Sequence, residues 1–274
     1  MPETVAPPSV AAVLRDATSV LAAAGSDTPR LDAELLLASA LGVDRARLIV
    51  ESRRELDPSA TTSFDALLAR RADHEPVAYI LGRKDFRRIT LRVDPRVLIP
   101  RPETELLVEV GLTLPSGASV VDVGTGSGAV ALALKNERPD LRVWATDVDP
   151  EALAVARENG VHLRMDVEFV QSDLLAGLHR RFDAVLANLP YVASAAELPP
   201  DVARYEPAGA LFAGPDGLDV IRRLVDEVRD VSLVGLEVGF DQARSVAALL
   251  GPCTNSIEIV CDLAGHERVV VGRR

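Results

Sequence analysis

The chain has 274 residues, of which 48% are hydrophobic and 26% charged, and its formal net charge is -11 at pH 7. This composition excludes a wholly disordered chain, the length allows one large domain or two moderate ones, and the negative charge disfavours a nucleic acid partner. No apolar run approaches the ~20 residues of a membrane span, and the opening MPETVAPPSV lacks the features of a signal peptide. We therefore expect a cytoplasmic protein with no membrane partner.

The cysteines and histidines offer no sign of a metal site. Cys253 and Cys261 lack metal-ligand spacing, which predicts buried free thiols rather than a disulfide or a zinc ligand pair. The histidines are scattered outside the strand-end motifs described below, so surface or capping roles are expected for His74, His162, His179 and His266.

The first part of the chain, residues 1–74, is predicted to be a small helical domain. Apolar spacing and Pro or Gly boundaries predict helices in SVAAVLRDATSVLAAAG, PRLDAELLLASALG and DPSATTSFDALLARRADH. The domain carries no glycine-rich loop, so we expect it to bind a substrate, with a plain packing role as the alternative. Residues 75–105 contain β-rich stretches such as ITLRV between turn residues and are predicted to form a β-hairpin connector.

Residues 106–274 alternate strand and helix patterns. SVVDVG, LRVWATDVD, DVEFVQSD, FDAVLAN, VSLVGLEVG, NSIEIVCD and ERVVVGR read as strands, with helical segments between most of them. This alternation predicts an α/β fold with a doubly wound, mainly parallel sheet. The link LAGH is too short for a helical crossover, so the last strand should run antiparallel.

The segment DVGTGSGA, Asp122 to Ala129, follows the first of these strands and precedes a helix. Gly124, Gly126 and Gly128 allow a tight turn and a close approach of the backbone to a ligand near a helix N-terminus. The same spacing fits the dinucleotide fingerprint G-x-G-x-x-A, so this loop alone leaves a nicotinamide cofactor open.

Acidic residues end the next two strands. Asp147 lies roughly 20 residues beyond the glycines, where a carboxylate can accept hydrogen bonds from ribose hydroxyls, whereas Asp149 is placed to cap the helix that begins at Pro150. Asp173 and Leu174 follow the third strand beside the expected adenine position, although Asp173 could equally cap a turn. These strand ends are expected to meet around one nucleoside.

The fourth strand ends in Asn188, Leu189, Pro190 and Tyr191. A planar nitrogen that accepts a methyl group from S-adenosylmethionine must be held with its lone pair in line with that methyl. The Asn188 side-chain oxygen and the Leu189 carbonyl can each accept one N–H, Pro190 keeps the turn stiff, and Tyr191 offers a ring for stacking. A strand-terminating turn with a buried tyrosine is the simpler alternative, which the preceding glycine loop disfavours.

These motifs together resemble the N5-glutamine methyltransferases that modify peptide chain release factors, the HemK/PrmC family. The resemblance spans almost the whole chain and is most specific in EPVAYILGRKDF, VLIPRPETE, DVGTGSGA, ATDVDPEALAVARENG, NLPYV and YEPAGALFAGPDGLDVIRRL. The family usually has Asn-Pro-Pro-Tyr at the fourth strand and often Trp where Leu174 stands. Leu189 makes the tetrapeptide similar to the Asn-Leu-Pro-Tyr of adenine dimethyltransferases that act on ribosomal RNA.

The resemblance implies a Rossmann-like class I fold with a seven-stranded sheet, S-adenosylmethionine as cofactor and S-adenosylhomocysteine as product. It implies cofactor contacts from Gly124, Thr125, Gly126, Ser127, Gly128, Asp147, Asp173, Leu174 and Asn188. It implies catalytic and substrate contacts from Asn188, Leu189, Pro190 and Tyr191. The IPRPETE segment would close over the methionine end of the cofactor or merely brace a linker, with candidate polar contacts from Arg101, Glu103, Thr104 and Glu105.

The function implied is methyl transfer to the glutamine of the Gly-Gly-Gln loop of release factors by a monomer that does not bind nucleic acid directly. An adenine-N6 methyltransferase for RNA or DNA is the alternative, with the arginines of LGRKDFRRITLR as its candidate groove. A non-catalytic cofactor-binding protein is a third interpretation, which the strand-end residues disfavour. Nothing at the fourth strand suits the hydride transfer of a nicotinamide-dependent reductase.

Overall fold

The computed structural model describes residues 7–178 and 180–274, so His179 lies outside the described residues. The chain forms two compact units. One comprises the residues up to Gly82 together with Pro199–Tyr205, and the other comprises Arg83–Leu198 and Glu206–Arg274. Within the described ranges, no helix has both the length and the apolar character needed to cross a bilayer.

The first unit is helical. Its helices are α1 Val10–Ala23, α2 Pro29–Leu41, α3 Arg45–Val50, α4 Pro58–Ala72, α5 Val77–Leu81 and α9 Pro200–Tyr205. The Asp57 side chain caps α4 by accepting from the backbone N–H of Ala60 at 2.8 Å, and Gly42 ends α2 with a φ of 65°. The three long predicted helices are confirmed. Sequence reasoning missed α3 and α5, because a helix of about one turn shows too few apolar repeats to be recognised.

The core of this unit is formed by apolar side chains from different helices, with leucines the most frequent. Leu21, Leu36, Leu37 and Phe64 are almost fully buried. Beside them, Arg71 on α4 pairs with the buried Asp32 on α2 at 2.8 Å. The hydroxyls of Ser26 and Thr28 also donate to that carboxylate, at 2.8 and 2.9 Å, so its oxygens are well satisfied despite burial.

The second unit begins with a two-stranded hairpin and continues into alternating strands and helices. The hairpin strands are β1 Arg83–Phe86 and β2 Ile89–Arg92. The remaining strands are β3 Ser119–Val123, β4 Arg142–Asp147, β5 Glu168–Gln171, β6 Ala184–Ala187, β7 Leu233–Glu237, β8 Ser256–Cys261 and β9 Glu267–Arg273. The helices are α6 Glu105–Leu112, α7 Ala129–Glu137, α8 Pro150–Leu163, α10 Asp219–Glu227 and α11 Ala243–Leu250.

Seven strands form one sheet in the order β5-β4-β3-β6-β7-β9-β8. All neighbours pair in parallel except β9, which runs antiparallel to both β7 and β8, so the predicted sheet with an antiparallel last strand is confirmed. The direction of the chain along the sheet reverses between β3 and β6. Ligands bind at the carboxyl ends of the strands beside such a switch point.

The hairpin is tied to this sheet domain by a buried amide. The Asn159 side chain on α8 accepts from the backbone N–H of Arg92 at 2.8 Å and donates to the Arg92 carbonyl at 3.0 Å. It also donates to the carbonyl of Ser127 in the glycine loop at 2.9 Å. One fully satisfied side chain therefore fixes β2 and the glycine loop together.

The prediction that both cysteines are buried was wrong. Both are free thiols, but Cys253 is only half-buried and Cys261 is exposed. The reason for Cys261 is its place at the end of β8, an edge strand whose side chains are largely open to solvent.

Candidate functional site

A cavity of about 380 Å³ lies at the carboxyl ends of β3, β4, β5 and β6. Most of the residues predicted from sequence line it, namely Gly124, Thr125, Gly126, Ser127, Asp147, Asp173, Leu174, Asn188, Leu189 and Pro190. Gly128 and Tyr191 lie outside its lining. The predicted convergence of strand ends therefore gives one cavity built from residues 65 positions apart in sequence, from Gly124 to Leu189.

The glycine loop is shaped by backbone conformations that side chains disfavour. Gly124 has a φ of +71°, and a Cβ placed on it would lie 2.9 Å from Cδ2 of Leu189. Gly128 has a φ of +85° just before α7, and a Cβ there would lie 2.8 Å from Cδ1 of Leu132. Gly124 thus allows the loop to pack closely against Leu189 in the cavity wall, whereas Gly128 serves the close packing of the loop against the following helix.

The Asp147 carboxylate accepts hydrogen bonds from two backbone N–H groups, one of them in the glycine loop. Its Oδ2 accepts from the backbone N–H of Gly126 at 2.9 Å, and its Oδ1 accepts from that of Asp149 at 3.0 Å. Burial raises the pKa of the Asp147 carboxyl above its ordinary value, and the backbone hydrogen bonds oppose this rise. Asp149 in turn accepts from the N–H of Glu151 at 2.8 Å, which confirms its predicted role as the cap of α8.

The third strand end places one charged and one apolar side chain at the cavity. Asp173 accepts from Nη2 of Arg223 on α10 at 2.6 Å, and both of these side chains are about half exposed. Leu174 is buried with a φ of +53°, a left-handed conformation rare for leucine. The carboxylate of Asp173 is therefore held by an arginine that sequence reasoning did not identify.

The fourth strand end joins the cavity to a polar cluster behind it. The amide nitrogen Nδ2 of Asn188 donates to Oγ1 of Thr104 at 3.1 Å. The Tyr191 hydroxyl lies 3.5 Å from Oε1 of Glu237, the last residue of β7, and neither residue lines the cavity. The Tyr191 carbonyl accepts from Nε2 of Gln242 at 2.9 Å, so the turn after β6 is held from both sides.

Some residues of the IPRPETE segment line the cavity, and others bind neighbouring parts of the protein. Thr104 lines the cavity. Arg101 instead forms an ion pair with the buried Glu206, and the Glu105 carboxylate accepts from the backbone N–H of Arg87 at 3.1 Å. Thr104 thus lies at the cavity, whereas Arg101 and Glu105 bind other parts of the protein.

Two buried carboxyls near the site have unusual proton affinities. Burial raises the pKa of Glu237 to about 7, the negative charge of Glu103 adds to the rise, and hydrogen bonding by Thr104 opposes it. Burial also raises the pKa of Asp122 to about 6, although the Thr125 hydroxyl donates to it at 2.6 Å. Glu237 is the more unusual, because its Oε2 has no hydrogen-bond partner among the described residues.

Sequence reasoning missed Arg223, Glu206, Glu237 and Gln242. Each lies outside a strand-end motif or within a strand that reads simply as buried, and each makes its contact with a residue far away in sequence. The signal that could have drawn attention to Glu237 is a carboxylate ending the strand VSLVGLE, by analogy with the acidic residues that end the earlier strands.

Two family models match the chain. The PrmC N-terminal domain matches residues 12–82, and the methyltransferase small domain matches residues 102–204. The first match begins within α1 and extends through α5, and the second includes the glycine loop and the tetrapeptide after β6.

Curated relatives named release factor glutamine methyltransferase match most of the chain. The protein of Koribacter versatilis is 42% identical, with 93% of this chain and 94% of the relative covered. That of Deinococcus radiodurans is 40% identical over 96% of this chain and 97% of the relative. The protein of Mycolicibacterium smegmatis is 48% identical, with 76% of this chain and 75% of the relative covered.

Solved structures share the fold at low sequence identity. A methyltransferase from Pyrococcus furiosus has a TM-score of 0.52 at 18% identity, with 67% of this chain and 87% of that chain covered. The catalytic domain of hMettl16 in complex with the MAT2A 3'UTR hairpin 6 has a TM-score of 0.56 at 17% identity, with 76% of this chain and 81% of that chain covered. At this level of identity the likeness extends to the fold alone.

Proposed function

The chain belongs to the release factor glutamine methyltransferase family, and on that premise we propose that it methylates the glutamine of the Gly-Gly-Gln motif in peptide chain release factors. The methyl group would come from S-adenosylmethionine and the acceptor would be the side-chain amide nitrogen N5. The observation that carries this proposal is the meeting of the glycine loop, Asp147 and Asn188 around one cavity.

The cavity fits the cofactor in size and in chemistry. Its volume of about 380 Å³ lies within the range of small-molecule sites, and Gly124 and Gly126 bring the backbone to its wall without side chains. Asp147 offers carboxylate oxygens with lone pairs beyond those used by backbone N–H groups, which suits ribose hydroxyls. Leu174 provides an apolar surface where the adenine is expected.

When bound, the cofactor supplies a methyl group on a sulfonium, which is already activated for transfer. The remaining task of the protein is to present a weakly nucleophilic amide nitrogen in line with that methyl. We infer that Asn188 Oδ1 and the Leu189 carbonyl accept the two N–H bonds of the glutamine amide. Both residues line the cavity, and Pro190 stiffens the backbone between them and Tyr191.

The ring of Tyr191 remains our candidate surface for stacking on the glutamine amide. Its hydroxyl is directed to Glu237 rather than into the cavity, so we assign it no proton transfer. Burial raises the pKa of Tyr191 to about 12, and the nearby Glu237 carboxyl adds to this rise. The hydroxyl thus stays protonated near neutral pH, and Glu237 Oε1 is its acceptor at 3.5 Å.

The curated relatives do not favour the adenine-N6 methyltransferase alternative. The basic segment that it would need is also partly neutralised. The guanidinium of Arg87, in the turn between β1 and β2, forms ion pairs with Glu137 and Glu109. We further propose that the helical unit helps to hold the release factor. We also propose that the enzyme works as a monomer in the cytoplasm, where release factors act.

The test is a methylation assay with labelled S-adenosylmethionine and, in separate reactions, recombinant release factor and ribosomal RNA. Mass spectrometry then locates the methyl group. We expect it on the glutamine of Gly-Gly-Gln, with no label in RNA. Label in RNA alone would contradict the proposal, and so would a methylated release factor whose glutamine is unmodified.

A further inference from the structure

Glu237 ends β7 with a carboxyl group that is 2% exposed. Its Oε1 is the acceptor for the Tyr191 hydroxyl, and its Oε2 has no hydrogen-bond partner among the described residues. A buried carboxyl that makes so few hydrogen bonds is costly to keep in the fold. The free-energy cost of burying this carboxyl group is understandable if the group holds neighbouring side chains in place.

Thr104 lies between this carboxyl and Asn188. Its side chain is buried and its Oγ1 accepts from Nδ2 of Asn188 at 3.1 Å, while hydrogen bonding by its hydroxyl lowers the pKa of Glu237 against the larger effect of burial. A hydroxyl has one hydrogen to give and lone pairs to receive. When Thr104 donates that hydrogen to Glu237, its lone pairs face Asn188.

This arrangement decides which way the Asn188 amide points. The NH2 end is bound to Thr104, which leaves Oδ1 free to accept from the substrate. The opposite orientation would present N–H groups to the N–H groups of a glutamine amide, and two donors cannot form a hydrogen bond. Only one of the two amide orientations can therefore hold the acceptor nitrogen.

We propose that Thr104 and Glu237 are positioning residues that fix the Asn188 amide with its oxygen toward the acceptor, and that the same Glu237 carboxyl anchors Tyr191. This inference rests on the proposed function, because it assumes that Asn188 binds an amide or amino nitrogen. It extends the site beyond the tetrapeptide to two side chains that lie 84 positions before Asn188 and 46 positions after Tyr191. Glu237 does not line the cavity, so its role differs from that of a cofactor contact.

The first experiment compares Thr104→Val with Thr104→Ser in the full chain, under single-turnover conditions with saturating S-adenosylmethionine and release factor. We expect Thr104→Val, which keeps the shape but loses the hydroxyl, to lower the methyl transfer rate about tenfold or more. Thr104→Ser should stay within about threefold of the wild type, because the hydroxyl is restored. Thr113→Val, which removes a hydroxyl bonded to the Val110 carbonyl at the end of α6, is the matched control and should leave the rate unchanged.

Glu237 is tested in the same assay. Glu237→Gln keeps an acceptor oxygen for Thr104 and Tyr191 and should retain more activity than Glu237→Leu, which keeps none. Binding of S-adenosylhomocysteine by equilibrium dialysis should change less than threefold in either variant, because the side chain lies outside the cavity lining. Equal losses of rate in the Gln and Leu variants would overturn the role assigned to the carboxyl oxygen.

A second measurement is independent of turnover. The side-chain NH2 of Asn188, assigned in a 15N-labelled sample by its loss in Asn188→Asp, should give sharp signals in the wild type and in Thr104→Ser. Those signals should shift or broaden in Thr104→Val. Unchanged Asn188 signals in Thr104→Val, or equal rate losses in the Val and Ser variants, would overturn the inference. If the wild type did not methylate glutamine, the proposed function would fail while the NMR comparison still decided the orientation of Asn188.

Discussion

The two ends of the cavity, to which we assign the cofactor and the acceptor, are built in different ways. At the cofactor end, backbone shape dominates: Gly124 and Gly126 adopt positive φ angles, and Gly126 and Asp147 are joined through a backbone N–H. At the acceptor end, side chains dominate: Asn188 is bonded to Thr104, and Tyr191 to Glu237. The glycine loop therefore depends mainly on its backbone conformation, whereas the opposite end depends more on the identity of its side chains.

The two ends also differ in the sequence distance of their contacts. The Gly126–Asp147 bond spans 21 positions, within a single β-α-β unit, whereas the Asn188–Thr104 bond spans 84. A local motif is completed as soon as its own unit folds. The acceptor end is complete only when β6, β7 and the segment before α6 are all in place.

The largest effect should come from the acceptor end. Asn188→Ala removes the amide oxygen that we propose orients the glutamine, and we expect methyl transfer to fall at least a hundredfold, equivalent to about 3 kcal/mol in the barrier. The measurement is the single-turnover rate at saturating cofactor. Asn255→Ala, the same change at an exposed residue outside the cavity, should leave the rate unaltered. A similar fall in both variants would remove Asn188 from the catalytic residues.

At the cofactor end, we expect Gly124→Ala to destabilise the protein by about 2–3 kcal/mol, because it combines a disfavoured φ with a clash against Leu189. Binding of S-adenosylhomocysteine should weaken at least tenfold, equivalent to about 1.4 kcal/mol. Gly117→Ala is the control: Gly117 has a φ of +74° but nothing within 4 Å of the added Cβ, so it should cost about 1 kcal/mol. Denaturant unfolding and calorimetric binding distinguish the two. If Gly124→Ala and Gly117→Ala proved equally destabilising, the clash with Leu189 would be absent.

A smaller effect concerns the pH dependence of stability and tests the burial of Glu237. Its pKa of about 7 in the folded state lies above the ordinary value of 4.5, so between these values the folded state holds a proton that the unfolded state has released. Raising the pH through this window therefore lowers the free energy of unfolding of the wild type. Glu237→Gln cannot titrate and escapes this loss.

We expect the stability of Glu237→Gln relative to wild type to increase by roughly 1–2 kcal/mol between pH 5 and pH 8, which is less than the full pKa difference would give because buried sites relax. Urea unfolding at both pH values measures it. The control is Glu258→Gln at an exposed position of β8. A pH-independent difference would mean that Glu237 titrates as an ordinary carboxyl group.

The smallest effect is expected at Leu189. Leu189→Pro restores the tetrapeptide usual in the family and retains the backbone carbonyl that we assign to the substrate. We expect the methyl transfer rate to change less than about fivefold, or under about 1 kcal/mol. The rate with release factor and the absence of transfer to RNA are measured together. A large gain in rate would show that the stiffness of the turn, rather than the carbonyl alone, limits the wild type.

Sequence reasoning identified the parts of the fold and site that are encoded locally. The alternation of strands and helices, the glycine loop and the cap at Asp149 each depend on residues close together in the chain, so their physical causes can be read from it. Glu206, Glu237 and Gln242 could not be found in this way. Their contacts depend on strand order and on side-chain burial, which the sequence does not display.

Tyr191 illustrates the limit most clearly. The sequence offered two interpretations of its ring, as a stacking surface or as a buried terminus of a strand, and it could not place the hydroxyl. The structure places that hydroxyl against Glu237, because β7 lies directly beside β6 in the sheet. A neighbour relation between two strands thus supplied information that a tetrapeptide could not contain.

The helical unit is discontinuous in sequence, and this limits which segments of the gene can be exchanged between relatives. Its last helix, Pro200–Tyr205, comes more than a hundred residues after Gly82, and there the Tyr205 hydroxyl donates to the Asp73 carbonyl at 2.9 Å. A recombination event that exchanged the first 82 residues between two relatives would therefore separate this helix from the partners it was selected with. We expect the two segments to be inherited together, and chimaeras that respect only the N-terminal boundary to express poorly.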